Sequence, residues 1–192
     1  IFSYKGVKES FDDLRLNLLG SHQFYNASLA IAVIELLRGR GFTIHRDAIY
    51  NGLRKVSWPG RLETVSKEPW IILDGAHNPA GAEALSKAIV NDLKFDRLFL
   101  IIGIMADKDI AAIISPLAPL AHEVILSRPR YDRASPAAGL LPVAMKYNGN
   151  SVAFEELREA IDYARSKAES GDLIVVSGSL FTVGEARGII LK

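Results

Sequence analysis

At 192 residues, with 49% hydrophobic side chains, 23% charged ones and a formal charge of +1, the chain has the composition of an ordinary soluble globular protein. The charges are scattered and nearly balanced, which argues against a nucleic-acid or membrane-surface partner, and no apolar run approaches the ~20 residues of a membrane-spanning helix. The absence of cysteine excludes a disulfide framework, a thiolate nucleophile and a cysteine metal site.

No basic segment followed by an apolar one marks a signal peptide, so the cytoplasm is the expected compartment and a monomer the expected state. The first residue is Ile1 rather than Met, which suggests a piece of a longer protein.

In chain order, Ile1 to Gly20 reads as strand-like: Ile1 to Tyr4 is short, and Leu14-Arg15-Leu16-Asn17-Leu18 alternates with the period of a half-buried antiparallel strand. Phe24 to Leu37 is apolar nearly all round, which predicts a buried helix ending at Gly39 or Gly41. A shorter helix follows at Arg46 to Lys55, with Ala48, Ile49 and Leu53 facing inward. These first residues lack a complete core and read as the tail of another domain. Pro59-Gly60 punctuates strongly, so the boundary is placed there: residues 1–57, then residues 58–192.

Past the boundary the pattern becomes regular. Strands are expected at 61–65, 70–73, 98–102, 123–126, 151–154 and 173–176. Helices are expected at 79–93 and 110–117, between Pro136 and Pro142, and at 155–170 and 182–190. Alternating elements with apolar strands predict an α/β fold: a mostly parallel, doubly wound, Rossmann-like sheet with helices on both faces.

The most informative stretch is Trp70-Ile71-Ile72-Leu73-Asp74-Gly75-Ala76-His77-Asn78-Pro79. A buried strand ends in an acid, and Asn78 with Pro79 makes a good helix start. The carboxyl edge of a parallel sheet beside a helix N-terminus is where open α/β folds hold nucleotides. Asp74 can bridge two ribose hydroxyls and His77 can donate to a phosphate; equally, the stretch can be a capped loop with a solvated Asp. Arg61, at the start of a strand after the hinge, suits a phosphate or a nearby acid. Asn26 offers the donor and acceptor that read an adenine edge, or caps the helix that follows it. Lys108 in Gly103-Ile104-Met105-Ala106-Asp107-Lys108-Asp109 could hold an anion, with Asp107 or Asp109 capping the next helix. Ser177 and Ser179 could donate to a carboxylate or serve a turn. His45 and His122 read as structural. No P-loop and no dinucleotide fingerprint occurs.

GSHQFYNASLAIAVIELL, WPGRLE, ILDGAHNPAGAEAL, GIMADKD and VVSGSLFTVGE, in that order, resemble folylpolyglutamate synthase and dihydrofolate synthase of the Mur ligase superfamily. The resemblance covers nearly the whole chain. It implies the C-terminal part of a ligase that uses ATP and Mg2+ to convert a folate carboxylate into an acyl phosphate, which the amino group of L-glutamate attacks. On this resemblance residues 1–57 are the end of a central ATP-binding domain. Asn26 would contact adenine, Arg61 the ATP phosphates and Asp74 the ribose, while His77 matches a position near the phosphates and is the candidate catalytic residue. Lys108 with Ser177 or Ser179 would hold the carboxylates of glutamate. The P-loop and the metal ligands would lie upstream, and the chain alone should be inactive. Two other readings stay open: a Mur-type ligase for another acid and amino acid, and a non-catalytic nucleotide-binding α/β module.

Overall fold

A computed structural model describes residues 1–192, which divide into two compact units, Ile1–Trp58 and Pro59–Lys192. In the first unit, β1 (Phe2–Lys5) and β2 (Ser10–Leu14) form an antiparallel hairpin, followed by helices α1 (His22–Gly39) and α2 (Arg46–Lys55). Tyr4, Phe11 and Leu14 of the hairpin pack with Ile31 of α1 and Ile49 of α2. The buried Glu35 carboxylate accepts from the Tyr4 hydroxyl and from the backbone N–H groups of Val7 and Glu9, so α1 holds the hairpin turn by one side chain.

Several expectations for this unit need correction. The second strand is Ser10–Leu14 and ends where the alternating stretch was expected to begin. Asn17 draws that stretch away: its N–H donates to the Leu53 carbonyl at 3.0 Å and its side chain to the Val56 carbonyl at 3.1 Å. Helix α1 is not buried all round, because Tyr25, Leu29, Val33 and Leu36 are exposed along one side. Asn26 lies inside α1 rather than at its start, and its amide donates to Gln23. On α2, Ala48 is exposed, and Tyr50 joins Leu53 beside Ile49 instead.

The second unit is a six-stranded sheet in the order β3-β4-β8-β5-β6-β7. Its strands are β3 (Glu63–Lys67), β4 (Trp70–Leu73), β5 (Leu98–Ile102), β6 (Glu123–Arg128), β7 (Ser151–Glu156) and β8 (Leu173–Ser177). Only the β3–β4 pair is antiparallel. The helices are α3 (Pro79–Asp92), α4 (Ile110–Ile114), α5 (Ala137–Ala144), α6 (Leu157–Lys167) and α7 (Leu180–Ile190). Successive strand residues face opposite sides. Ile72, Leu100, Val124 and Val175 pack against α3, α4 and α5, while Ile71, Phe99, Ile125 and Ile174 pack against α6 and α7. The central strands are therefore apolar throughout because both of their faces are covered.

Boundaries shift where local chemistry outweighs pattern. Arg61 and Leu62 precede β3, because Gly60 and Leu62 both take positive φ, 73° and 44°. Helix α4 stops at Ile114 and a 3-10 turn at Ala118–Leu120 completes the connection. Helix α5 runs through Pro142 rather than ending before it, at the loss of the one N–H that proline lacks. No helix is long and apolar enough to cross a membrane.

The amino edge of the sheet is held by Arg97 and Asp172, 75 positions apart. The guanidinium donates from Nε at 3.1 Å and from its terminal nitrogen at 2.6 Å, and the Arg97 and Glu169 backbone N–H groups fill the rest of the buried carboxylate. The Arg97 guanidinium, aided by those N–H groups, holds the Asp172 carboxyl below its ordinary 3.8 against the opposing effect of burial. A depressed carboxyl favours the folded state above the ordinary value, and this contribution is lost as pH falls through the folded one. Denaturant titrations from pH 5 downward should therefore show stability falling below about pH 4, with a shallower fall for Asp172→Asn; equal slopes for the two proteins would contradict this.

Candidate functional site

From β4 the chain passes through α3 to β5, moves outward to β6 and β7, and returns through α6 to insert β8 between β4 and β5. Strand order thus reverses at β8, and the segments leaving β4, β5 and β8 meet at one carboxyl edge. Such a reversal is the usual ligand position in an open α/β sheet. The sequence motifs Gly60–Glu63, Asp74–Pro79, Gly103–Asp109 and Ser177–Ser179 all lie at this edge or bond directly to it.

Asp74 is the centre of the arrangement. Its backbone N–H continues the β4–β8 ladder to the Val176 carbonyl, and its carboxylate is buried, 8% exposed. One oxygen accepts from Leu62 N–H and the other from Ala76 N–H, both at 3.0 Å. The Gly75 N–H donates to the Gly60 carbonyl at 2.7 Å, so two separate motifs are sewn into one double turn. Asn78 caps α3 as its sequence predicts, accepting from Gly81 N–H at 2.8 Å, with Pro79 in the first turn.

His77 is half-buried, with Nδ1 2.8 Å from the Gly75 carbonyl oxygen. A carbonyl accepts only, so Nδ1 carries a proton and Nε2 is the remaining ring nitrogen. Nε2 donates to an anion only when the ring is the imidazolium. Arg61 is exposed on the turn between Gly60 and Leu62.

At the end of β5, Asp109 caps α4 through Ala112 N–H, and Lys108 pairs with Asp107 at 3.0 Å. The Lys108 ammonium is the main influence holding the Asp107 carboxyl low, with Arg133 adding a weaker pull. Arg133 belongs to this loop because its carbonyl accepts from Ala106 N–H and its neighbour Ala134 bridges to Met105. Nothing in the sequence spacing placed Arg133 there, since the link is a backbone bridge between two loops.

The two serines are placed differently from each other. Ser177 Oγ is buried without a hydrogen-bond partner. Ser179 caps α7, accepting from Thr182 N–H at 2.9 Å. Thr182 Oγ1 donates to the Gly103 carbonyl at 2.8 Å, so the 2.8 Å contact between the two hydroxyls must use the Ser179 proton. The Ser179 hydroxyl is thus committed to the turn. Asn26 belongs to the first unit, exposed on α1. His45 precedes α2 in the first unit, and His122 packs edge-on against Phe99 just before β6. No group of three His, Cys, Asp or Glu side chains is arranged to hold a metal ion.

Residues 60–180 match the model of the Mur ligase glutamate ligase domain. The chain belongs to the Mur ligase family. Among curated relatives, the dihydrofolate synthase/folylpolyglutamate synthase of Bacillus subtilis is 32% identical over 97% of this chain and 43% of the relative. The Mycobacterium tuberculosis protein of the same name is 33% identical over 97% of this chain and 42% of its own length. Among solved structures, M. tuberculosis folylpolyglutamate synthase complexed with ADP and AMPPCP superposes with a TM-score of 0.89 at 33% identity, over 97% of this chain and 44% of that one. E. coli FolC in complex with ADP gives a TM-score of 0.85 at 29% identity, over 98% of this chain and 43% of that one. The chain spans less than half the length of these relatives.

The β8 turn is the least forgiving part of the edge. Gly178 has φ of 101°, and a Cβ there would stand 2.5 Å from the Gly103 carbonyl oxygen, a backbone atom with no freedom to withdraw. A Cβ on Gly75 would meet chiefly the end of the exposed Leu180 side chain, which can turn away. Gly178→Ala should therefore lower unfolding free energy by about 1–3 kcal/mol and Gly75→Ala by less. Chemical denaturation checks this, and a Gly178→Ala protein as stable as the parent would contradict it.

Proposed function

We propose that this chain is the C-terminal part of an ATP-dependent ligase that joins L-glutamate to a folate, making dihydrofolate, extending polyglutamate tails, or both. One observation carries the reading: relatives bearing those names match nearly the full chain, across both units. The structural relatives complexed with ADP support a nucleotide at this family's site.

ATP transfers its terminal phosphoryl group to the acceptor carboxylate, releasing ADP; the glutamate amine then attacks the acyl carbon of that acyl phosphate and displaces inorganic phosphate to form the amide. The residues present suit that task. The planar Arg61 fork can take two phosphate oxygens and neutralise charge as the phosphoryl group moves. His77, its Nδ1 held by the Gly75 carbonyl, is the proposed contact to the same phosphates through Nε2, which donates there only in the imidazolium form. The Asp74 carboxylate, besides holding the turn, is the acceptor offered to the ribose hydroxyls. Asn26 is the proposed adenine contact from the first unit. Lys108, with Arg133 on the bridged loop, is proposed to receive the carboxylates of glutamate. Ser177, whose buried hydroxyl has no partner, is the serine proposed to join them, while the Ser179 hydroxyl is committed to the α7 turn. Mg2+ would be held by residues outside this chain, where the P-loop is also expected. Its action is proposed to take place in the cytoplasm on small-molecule substrates, by a monomer.

The test is amide formation by the full-length protein with ATP, Mg2+, glutamate and either dihydropteroate or a reduced folate. Turnover requiring glutamate and one of these acids is expected, and the 192-residue chain by itself should give none. Turnover with a different acid or amino acid would favour another Mur-type ligase. ATP binding without any amide product would favour a nucleotide-binding module.

A further inference from the structure

The turn that carries Arg61 is held more firmly than an exposed loop needs. Gly60 and Leu62, on either side of Arg61, both have positive φ. For a leucine this is a strained conformation, kept only where the surroundings impose it. Leu62 is kept there by its buried side chain and by its N–H bond to Asp74. Gly60 is tied through its carbonyl to Gly75 and through its N–H to Glu63 Oε2 at 2.9 Å. Arg187 of α7, 124 positions away, then donates Nε to both Glu63 oxygens at 3.0 and 3.2 Å.

The Arg187–Glu63 pair is partly exposed, at 43% and 20%, and such pairs contribute little net stability because water screens them and ordering the side chains costs entropy. What this pair does contribute is direction. It pins the N–H of Gly60 and so fixes the backbone from which Arg61 projects. Without Glu63, Gly60 keeps its single bond to Gly75 and is free to take other conformations, as glycine readily does. Arg61 then samples several directions, and a guanidinium must be aligned to bind phosphate through two parallel bonds.

We infer that Glu63, held by Arg187, is a positioning residue that presents Arg61 to the nucleotide phosphates. The inference rests on the proposed phosphate role of Arg61. Glu63 touches no substrate and acts only through the turn.

The test is steady-state kinetics of the full-length protein carrying Glu63→Ala, Glu63→Gln, Arg187→Ala, Arg61→Ala and the double variant Arg61→Ala with Glu63→Ala. Thermal melts confirm that each variant is folded. Glu63→Ala and Arg187→Ala should raise the KM for ATP about 3–10-fold, the scale of about one lost hydrogen bond's worth of alignment, while the KM for glutamate stays put. Glu63→Gln, which still accepts from Gly60 N–H, should recover most of the loss. In the Arg61→Ala background, Glu63→Ala should add nothing, because the group it positions is gone. Equal effects of Glu63→Ala with and without Arg61, or no effect with Arg61 present, would overturn the positioning role alone. An unchanged ATP KM in Arg61→Ala would overturn the phosphate reading and this inference with it.

Discussion

A buried carboxylate needs hydrogen-bond donors, and at the end of β4 the backbone supplies them to Asp74 from two directions. This constraint organises the carboxyl edge of the sheet. Because one donor is Leu62 N–H, the segment after Pro59 must fold over β4. Because the other is Ala76 N–H, the chain must turn at once toward Asn78 and open α3. The Gly60–Gly75 bond and the positive φ of Leu62 follow from the same closure. Arg61, between Gly60 and Leu62, is left pointing outward on a backbone with little freedom.

The second constraint is the close approach of β5 and β8. Gly178 N–H donates to the Ala76 carbonyl and Gly103 N–H to the Ser177 carbonyl, so the three strand ends are cross-tied through the backbone. Ser179 and Thr182 finish the junction with a relay of hydroxyl bonds, Ser179 donating to Thr182 and Thr182 to the Gly103 carbonyl. The edge is thus a rigid platform made of backbone and small side chains, from which the longer polar groups Arg61, His77 and Lys108 extend. A platform of this kind suits a reaction in which aligning charged phosphates and carboxylates matters more than any single nucleophile on the protein.

Much of this was legible in the sequence because periodicity and capping are local. The apolar runs at 70–73, 98–102 and 173–176 could only be strands covered on both faces, and Asn78-Pro79 announced α3. The sequence was misleading where distant partners decide. Leu14 to Leu18 alternates like a strand, yet Asn17 bonds to the end of α2. The apolar side of α1 looked buried from composition but is exposed at Tyr25, Leu29, Val33 and Leu36. The placement of Asp74 and His77 at the sheet edge could be read from position, whereas the commitment of Ser179 to Thr182 and the bond from Arg187 to Glu63 depend on contacts that no spacing rule encodes.

On the proposed reading, the Asp74 double turn holds Arg61 toward a nucleotide. The direct measurement is the position of the Arg61 guanidinium in a structure of the full-length protein with a non-hydrolysable ATP analogue bound. The guanidinium nitrogens should lie within hydrogen-bond distance of phosphate oxygens, with Leu62 and Ala76 still donating to Asp74. An Arg61 side chain directed into solvent, beside a fully bound nucleotide, would contradict it.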